Sequence, residues 1–164
     1  MAKILVFGAN SLTGIPSEVC QWIREYIEQG HTILVSDMKG FDTTLHYMLS
    51  RLGATKDNTI IYSMGTSSNN SFNFSNKVFG NSYDENNKAV TIFDCDTNEV
   101  LQVIEGVETP ADAVSRSEWY QFRDKQLMRD CDMAIGVRDG SDKRAAQMFK
   151  FAGITDTKCY TFKI

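Results

Sequence analysis

Histidine is nearly missing from this chain, since its 164 residues include only two, His31 and His46. Two scattered imidazoles are too few for a histidine-based metal centre or for a Ser-His-Asp triad. The Gly-x-Ser-x-Gly elbow of serine hydrolases is also absent from the sequence. We therefore expect no metal site, and we expect neither a hydrolase with a Ser-His-Asp triad nor one with a Gly-x-Ser-x-Gly elbow.

Long apolar runs and paired cysteines are lacking as well. The longest apolar run, Ile4 to Phe7, falls far short of the ~20 residues that span a bilayer. It is also too short for the core of a signal peptide and predicts a strand. The four cysteines lie far apart without a Cys-x-x-Cys pair, which favours free thiols. These features predict a cytoplasmic protein with no membrane partner.

Charge is weakly negative overall and unevenly distributed. The net charge is −4, which argues against broad attraction to a nucleic acid backbone. Residues 1–115 hold 7 basic and 14 acidic side chains, whereas residues 116–164 hold 10 basic and 7 acidic ones. The last third could therefore attract a small anion, or its charges could simply form a solvated helix face.

Alternating apolar patterns predict an α/β fold. Short apolar runs typical of buried strands alternate with helical spacings that begin near Pro16, Asp42, Ser117 and Ser141. Such alternation implies parallel strands joined by right-handed crossovers. We expect a single domain over residues 1–164, with a Rossmann-like parallel sheet of about five strands and helices on both faces. The five predicted strands are Lys3–Phe7, Thr32–Ser36, Thr59–Ser63, Met133–Val137 and Lys158–Ile164.

The middle of the chain departs from this alternation. Residues 66–88 are rich in Asn and Ser but also contain four aromatic residues, which favours a partly ordered excursion over a disordered loop. Ala89–Asp94 and Glu99–Ile104 flank a four-residue turn and predict a β-hairpin. We interpret residues 64–115 as an insertion that serves as a lid or a dimer contact, and we expect a homo-oligomer.

Ligands of open parallel sheets bind beyond the carboxyl ends of the strands. The first loop there, Gly8 to Gly14, has Asn10 and Thr13 where the Gly-x-Gly-x-x-Gly pattern needs glycine, and it lacks the lysine of a P-loop. What remains is Gly8 for a close backbone approach, Asn10 and Ser11 as polar contacts, and helix-start amides for an anion. The alternative is a turn that binds nothing.

The loop after the second strand runs from Asp37 to Asp42. Gly40 lets the backbone turn, and Asp42 can cap the next helix. Asp37 has no such local role, so a ribose hydroxyl or an amine is a suitable partner for it.

A third region extends from Arg123 to the turn after the fourth predicted strand. Arginine can grip a phosphate through two parallel hydrogen bonds. The alternative for Arg123 is a surface ion pair with Asp124 or Asp130. The candidate contacts in the turn itself are Asp139, Gly140, Ser141 and Lys143.

Three segments together resemble the SLOG superfamily, the Rossmann-like group that contains the Lonely Guy phosphoribohydrolases and the DNA-processing protein DprA. They are the Gly8-Ala9-Asn10-Ser11 turn, the SDMKGFD segment that opens a helix ending in LGA, and the stretch RDKQLMRDCDMAIGVRDG. The second resembles the family's "G-(x)-GxD" helix start and the third its "RN..M...AD..IA..DG" pattern. The likeness covers residues 3–63 and 116–164.

The resemblance implies a nucleotide-derived ligand over the first turn. Gly8, Asn10 and Ser11 would lie near its phosphate or ribose, while Arg123 and the turn at Asp139, Gly140 and Ser141 would close the other side. Members that cleave N-glycosidic bonds carry a PGGxGTxxE segment after the fourth strand. This chain has RDGSDKRAA there and no glutamate after Glu118. Lys143 and Arg144 could replace backbone amides as phosphate ligands, so binding would persist without hydrolysis.

The leading interpretation is thus a protein that binds a nucleotide-derived small molecule without a further cofactor. One alternative is an enzyme, an N-glycosidic bond hydrolase or a deoxyribosyltransferase, with Asp37 or Asp139 as its catalytic carboxylate. The other is an assembly module with a vestigial pocket.

Overall fold

The structure is a computed structural model that describes residues 1–9, 11–38, 40–65, 72–115, 117–138 and 157–161. Four helices lie in these ranges: α1 (Ser17–Glu28), α2 (Phe41–Arg51), α3 (Pro110–Ser115) and α4 (Ser117–Asp130). Eight strands lie there as well: β1 (Lys3–Gly8), β2 (Thr32–Ser36), β3 (Thr59–Met64), β4 (Ser75–Asp84), β5 (Ala89–Asp94), β6 (Val100–Glu105), β7 (Met133–Arg138) and β8 (Thr157–Thr161).

The eight described strands form one mixed, mostly parallel sheet in the order β6-β5-β4-β3-β2-β1-β7-β8. Every neighbouring pair from β4 to β8 along this order is parallel, while β4–β5 and β5–β6 are antiparallel. The predicted α/β class and the predicted hairpin, which is β5 and β6, are confirmed. The expected strand number was too low, because the hairpin extends the sheet through β4.

The sequence did not predict strand β4, because Asn, Gly and Asp, which are depleted in strands, make up four of the ten residues of SNKVFGNSYD. Its neighbours on both sides supply the hydrogen bonds that its composition does not predict, with Ile60 beside Ser75 and Phe79 beside Asp94. Phe79 is fully buried, and Tyr83 on the same face packs against the core. The segment expected to be a lid therefore contributes a strand to the sheet.

The sheet has a hydrophobic core on each face. Along β1, Leu5 and Phe7 point into one core and Ile4 and Val6 into the other, as the period of a strand requires. The first core is covered by α3 and α4, whose buried residues include Ala113, Trp119, Phe122, Leu127 and Met128. The second is covered by α1 and α2 through Val19, Ile23, Phe41, Leu45 and Leu49. Helices thus lie on both faces, as predicted.

Two simpler expectations concern thiols and membranes. Cys20, Cys95 and Cys131 are free thiols, in line with the prediction. No helix within the described ranges is long and apolar enough to cross a membrane.

Candidate functional site

The strand order reverses at β1, because the chain places β2 on one side of it and β7 on the other. Leu5 pairs with Leu34 of β2, while Gly8 pairs with Val137 of β7. All three strands are parallel, so their carboxyl ends share one edge of the sheet. In open α/β sheets a crevice for ligands forms at such a point.

The loop after β1 is longer than a tight turn, since β1 ends at Gly8 and α1 begins only at Ser17. The amide of Ala9 donates to the carbonyl of Val137 at 3.1 Å, which extends the pairing with β7. The amide of Leu12 donates to the carbonyl of Ala9 at 3.0 Å. Both amides are therefore used inside the protein, and the N-terminus of α1 does not follow directly on the strand.

Gly8 is needed for packing within the protein. A Cβ atom at this position would lie 2.7 Å from the ring of Phe41, which is fully buried at the start of α2. Contacts below about 3 Å are not tolerated between carbon atoms, so only glycine lets the ring rest on the end of β1. We predicted Gly8 for a close approach to a ligand, and the group seen against it is Phe41.

A buried polar cluster joins the end of β2 to α2. The N-cap of α2 is Gly40, at φ +95°, so the prediction that Asp42 caps this helix is wrong. Asp42 lies within the first turn and is 1% exposed. Its Oδ2 accepts hydrogen bonds from the Ser36 hydroxyl at 2.5 Å and from the Met38 amide at 3.0 Å. The carboxylate thus holds the loop after β2 against the helix.

His46 lies one turn further along α2 and belongs to the same cluster. Its Nε2 is 2.9 Å from the carbonyl oxygen of Ser36, and the ring is 5% exposed. Because a carbonyl only accepts, Nε2 carries the proton in this hydrogen bond. The ring also meets Phe74 edge to face. His46 therefore fixes the last residue of β2.

Arg123 lies on the other face of the sheet, in α4, and is 1% exposed. Its Nη1 is 3.2 Å from Oδ1 of Asp37, just beyond β2. Its Nε and Nη2 donate to Oδ1 of Asp124 at 3.3 and 3.2 Å. The guanidinium also lies 5.8 Å from the ring centroid of Tyr120. The predicted ion pair of Arg123 with Asp124 is present, but it is buried and not at the surface. The other predicted partner, Asp130, accepts a hydrogen bond from the hydroxyl of Tyr62.

This arrangement places one cation between two carboxylates at the edge of the sheet. The side chains of Asp37 and Asp124 are 10% and 9% exposed. Burying charges in this way adds little net stability, since desolvation offsets much of the attraction. What it does achieve is a fixed orientation of the Asp37 carboxylate at the carboxyl edge of the sheet. No three His, Cys, Asp or Glu side chains within the described ranges are grouped to hold a metal ion.

The structure brings some of the predicted site residues together. Asp37 and Arg123 are in contact, and Gly40 and Asp42 follow in the same loop and helix. Ser11 lies exposed in the loop after β1. The remaining predicted residues, Asn10, Asp139, Gly140, Ser141 and Lys143, lie outside the described residues, and their roles stay predictions.

Sequence reasoning missed three members of the site, namely Ser36, Phe41 and Asp124. Asp124 directly follows Arg123 in the sequence, which predicted for it only an ion pair with Arg123 at the surface. The signal for Phe41 was its position beside Gly40, where a large apolar residue begins an amphipathic helix. Its contact with Gly8 crosses from one element to another, and no local pattern carries that information.

Comparison of the chain with protein-family models, with curated proteins and with solved structures finds no match. The resemblance to the SLOG superfamily therefore stays a prediction from the three sequence segments.

Proposed function

We propose that this protein binds a nucleotide-derived small molecule at the shared carboxyl edge of β1, β2 and β7, within a Rossmann-like domain of the SLOG type. The observation that carries the proposal is the reversal of strand order at β1, because parallel sheets form their ligand crevice there. The first two motif segments begin at the last residues of β1 and β2, and the third includes β7.

Asp37 is the described residue best suited to contact the ligand. It follows the last residue of β2, and its side chain keeps 10% of its surface exposed. A carboxylate accepts hydrogen bonds and has four lone-pair sites, which suits the hydroxyl groups of a ribose or an amine. This is the role that the sequence suggested for Asp37.

Arg123 acts in this proposal as a positioning residue. All three kinds of guanidinium nitrogen, Nε, Nη1 and Nη2, already contact carboxylates of the protein. The phosphate contact predicted for Arg123 would require these bonds to be exchanged. Holding Asp37 in place needs no such change, so we assign Arg123 to that task and leave the phosphate to residues of the neighbouring loops.

The proposal is tested by incubating the purified protein with nucleosides, nucleotides and ADP-ribose-type compounds, followed by native mass spectrometry. We expect an intact ligand bound to the wild type. Asp37→Asn should weaken that binding about tenfold or more, because a hydrogen bond to a charged group contributes about 1.5–3 kcal/mol. If no member of the panel binds, the proposed function is wrong.

A matched control is Asp57→Asn, which makes the same change at an exposed loop position remote from the sheet edge. It should leave binding unchanged. Urea unfolding of both variants separates lost binding from lost folding. Equal binding by Asp37→Asn and the wild type would remove Asp37 from the site.

The second candidate function is the hydrolase or deoxyribosyltransferase. The fixed Asp37 carboxylate favours it, since such a group could stabilise the developing cation of a sugar or attack its anomeric carbon. Chromatography of the same incubations distinguishes the two functions. Free base released by the wild type but not by Asp37→Asn would establish the enzyme and overturn the simple binding function.

A further inference from the structure

A groove of about 460 Å³ runs along the outer side of α1, next to β8. Its size lies within the range of pockets that hold small molecules. The residues that line it are Ser17, Glu18, Gln21, Trp22, Glu25 and Lys158. None of them belongs to the site at the carboxyl edge of β1, β2 and β7.

The fold explains why these residues meet. Glu18, Trp22 and Glu25 are spaced by four and three residues and so lie on one face of α1. Lys158 pairs with Ile135 of β7, whose side chain lies in the core beneath α1. Paired residues of neighbouring strands point to the same face of a sheet, so Lys158 also points towards α1.

One wall of the groove is aromatic and already holds a cation. The Nζ of Lys158 lies 5.1 Å from the ring centroid of Trp22 and 5.4 Å from that of Tyr26. Both distances are within the range of attraction between an ammonium group and an aromatic ring. The ammonium group keeps three N–H donors, so it can serve as the partner of a carboxylate.

Acidic residues flank Trp22 along the same face of α1. Glu18 and Glu25 are both exposed, and seven residues of helix place them about 10.5 Å apart along the axis. Gln21 lies between them and donates from Nε2 to Oε1 of Glu25 at 3.2 Å. With Lys158 opposite, the groove carries two negative charges and one positive charge, a net charge of −1.

We propose that this groove is a second binding site and that it takes a free α-amino acid with a cationic side chain, such as lysine or arginine. Its carboxylate would pair with Lys158, and its two cationic groups with Glu18 and Glu25. The aliphatic stem would cover Trp22. A ligand of this class carries two positive charges and one negative charge, which complements every charged group of the groove.

The proposal is tested by calorimetric titration at low salt with three ligands of similar length. L-Lysine has all three charges, cadaverine lacks the carboxylate, and L-norleucine lacks the side-chain ammonium. We expect L-lysine to bind at least fivefold more tightly than either of the others. Similar binding of all three, or no binding of L-lysine, would overturn the proposal.

Two variants distinguish the roles of the charges. Lys158→Met should weaken the binding of L-lysine about tenfold, because the carboxylate of the ligand loses its partner. The same variant should strengthen the binding of cadaverine, because the repulsion between Lys158 and the diamine disappears. Glu25→Gln should weaken the binding of both L-lysine and cadaverine by about threefold to tenfold. If Lys158→Met changes the affinities for L-lysine and cadaverine in the same direction, Lys158 is not the partner of the carboxylate.

Glu28→Gln is the matched control, since Glu28 is an exposed carboxylate of the same helix that does not line the groove. It should leave all three affinities unchanged, whereas a loss equal to that of Glu25→Gln would show general attraction to an acidic helix. Thermal unfolding by circular dichroism confirms that each variant is folded. Binding of lysine-containing peptides but not of the free amino acid would identify a protein-docking surface and overturn the proposal.

Discussion

Gly8 and Arg123 show how single residues acquire their roles from distant partners. Gly8 ends the first strand, and the ring that makes a side chain impossible there comes from Phe41, at the start of α2. Arg123 reaches Asp37 across 86 positions of the chain. Each residue has an ordinary local explanation, as a turn glycine or a surface arginine, and each is instead required by a contact between elements.

Gly8→Ala should destabilise the protein because the new methyl group would lie 2.7 Å from the Phe41 ring. Overpacking of this kind costs about 1–3 kcal/mol in free energy of unfolding, measured by urea denaturation. Gly14→Ala is the control, since a Cβ atom at Gly14 meets nothing within 4 Å. We expect its effect to stay within about 0.5 kcal/mol. A Gly8→Ala protein as stable as Gly14→Ala would contradict the packing argument.

The C-terminal end of α4 brings together two buried titratable groups. The Tyr62 hydroxyl donates to Oδ2 of Asp130 at 2.5 Å, and burial together with this carboxylate raises the pKa of Tyr62. Cys131, the next residue, is 5% exposed and donates to the carbonyl of Met128 at 3.5 Å. Burial raises the pKa of the Cys131 thiol from 9.0 to about 11. The Tyr62 hydroxyl and the Cys131 thiol therefore hold their protons more tightly than they would in water.

Stability should fall between pH 9 and 11, because the unfolded chain loses the Cys131 proton near pH 9 while the folded chain keeps it to about pH 11. The loss attributable to this thiol is on the order of 2–3 kcal/mol. Urea denaturation between pH 9 and 11 measures this loss of stability. Cys131→Ala should lose correspondingly less stability over this range. Cys95→Ala should stay closer to the wild type, because this thiol is exposed, although partial burial and the neighbouring carboxylates of Asp94 and Asp96 raise its pKa too. Parallel curves for Cys131→Ala and the wild type would contradict the expectation.

At the scale of the whole molecule, the sheet formed by the eight described strands ends at β6 on one side and at β8 on the other. Strand β6, with the sequence VLQVIE, contains none of the lysine or proline residues that protect edge strands, and Val100 and Val103 are 58% and 53% exposed. The features of this strand that protect it are a register shift in its pairing with β5 and the charged Glu105 at its end. The predicted homo-oligomer stays a prediction, and β6 is where we would test it.

Sedimentation velocity should show self-association of the wild type, and Val103→Lys should shift it towards the monomer because a charged side chain opposes pairing at the edge. Tyr47→Lys is the matched control, since Tyr47 is 60% exposed but lies on α2. A monomeric wild type would show that the predicted homo-oligomer is wrong. Equal effects of both variants would show that β6 is not the contact.

The sequence by itself determined most elements and the edge at which a ligand is expected. The run Lys3 to Phe7, the helical spacing after Pro16 and the two halves of the hairpin lie where their patterns predicted them. Periods of two and 3.6 residues are complete within a few turns of chain, so they can be read without knowledge of the fold. The loop holding Asp37 was selected in the same way, from its place after a buried strand.

Only the tertiary structure decided which residues meet. It made a strand of the polar segment Ser75–Asp84, placed Phe41 against Gly8, and buried Arg123 between Asp37 and Asp124. It also set Lys158 over Trp22. Each of these contacts joins residues from different elements, and it forms because the crossovers of the chain order the strands and bring those elements together. Local propensity acts over a few residues, whereas burial and ion pairing depend on that order.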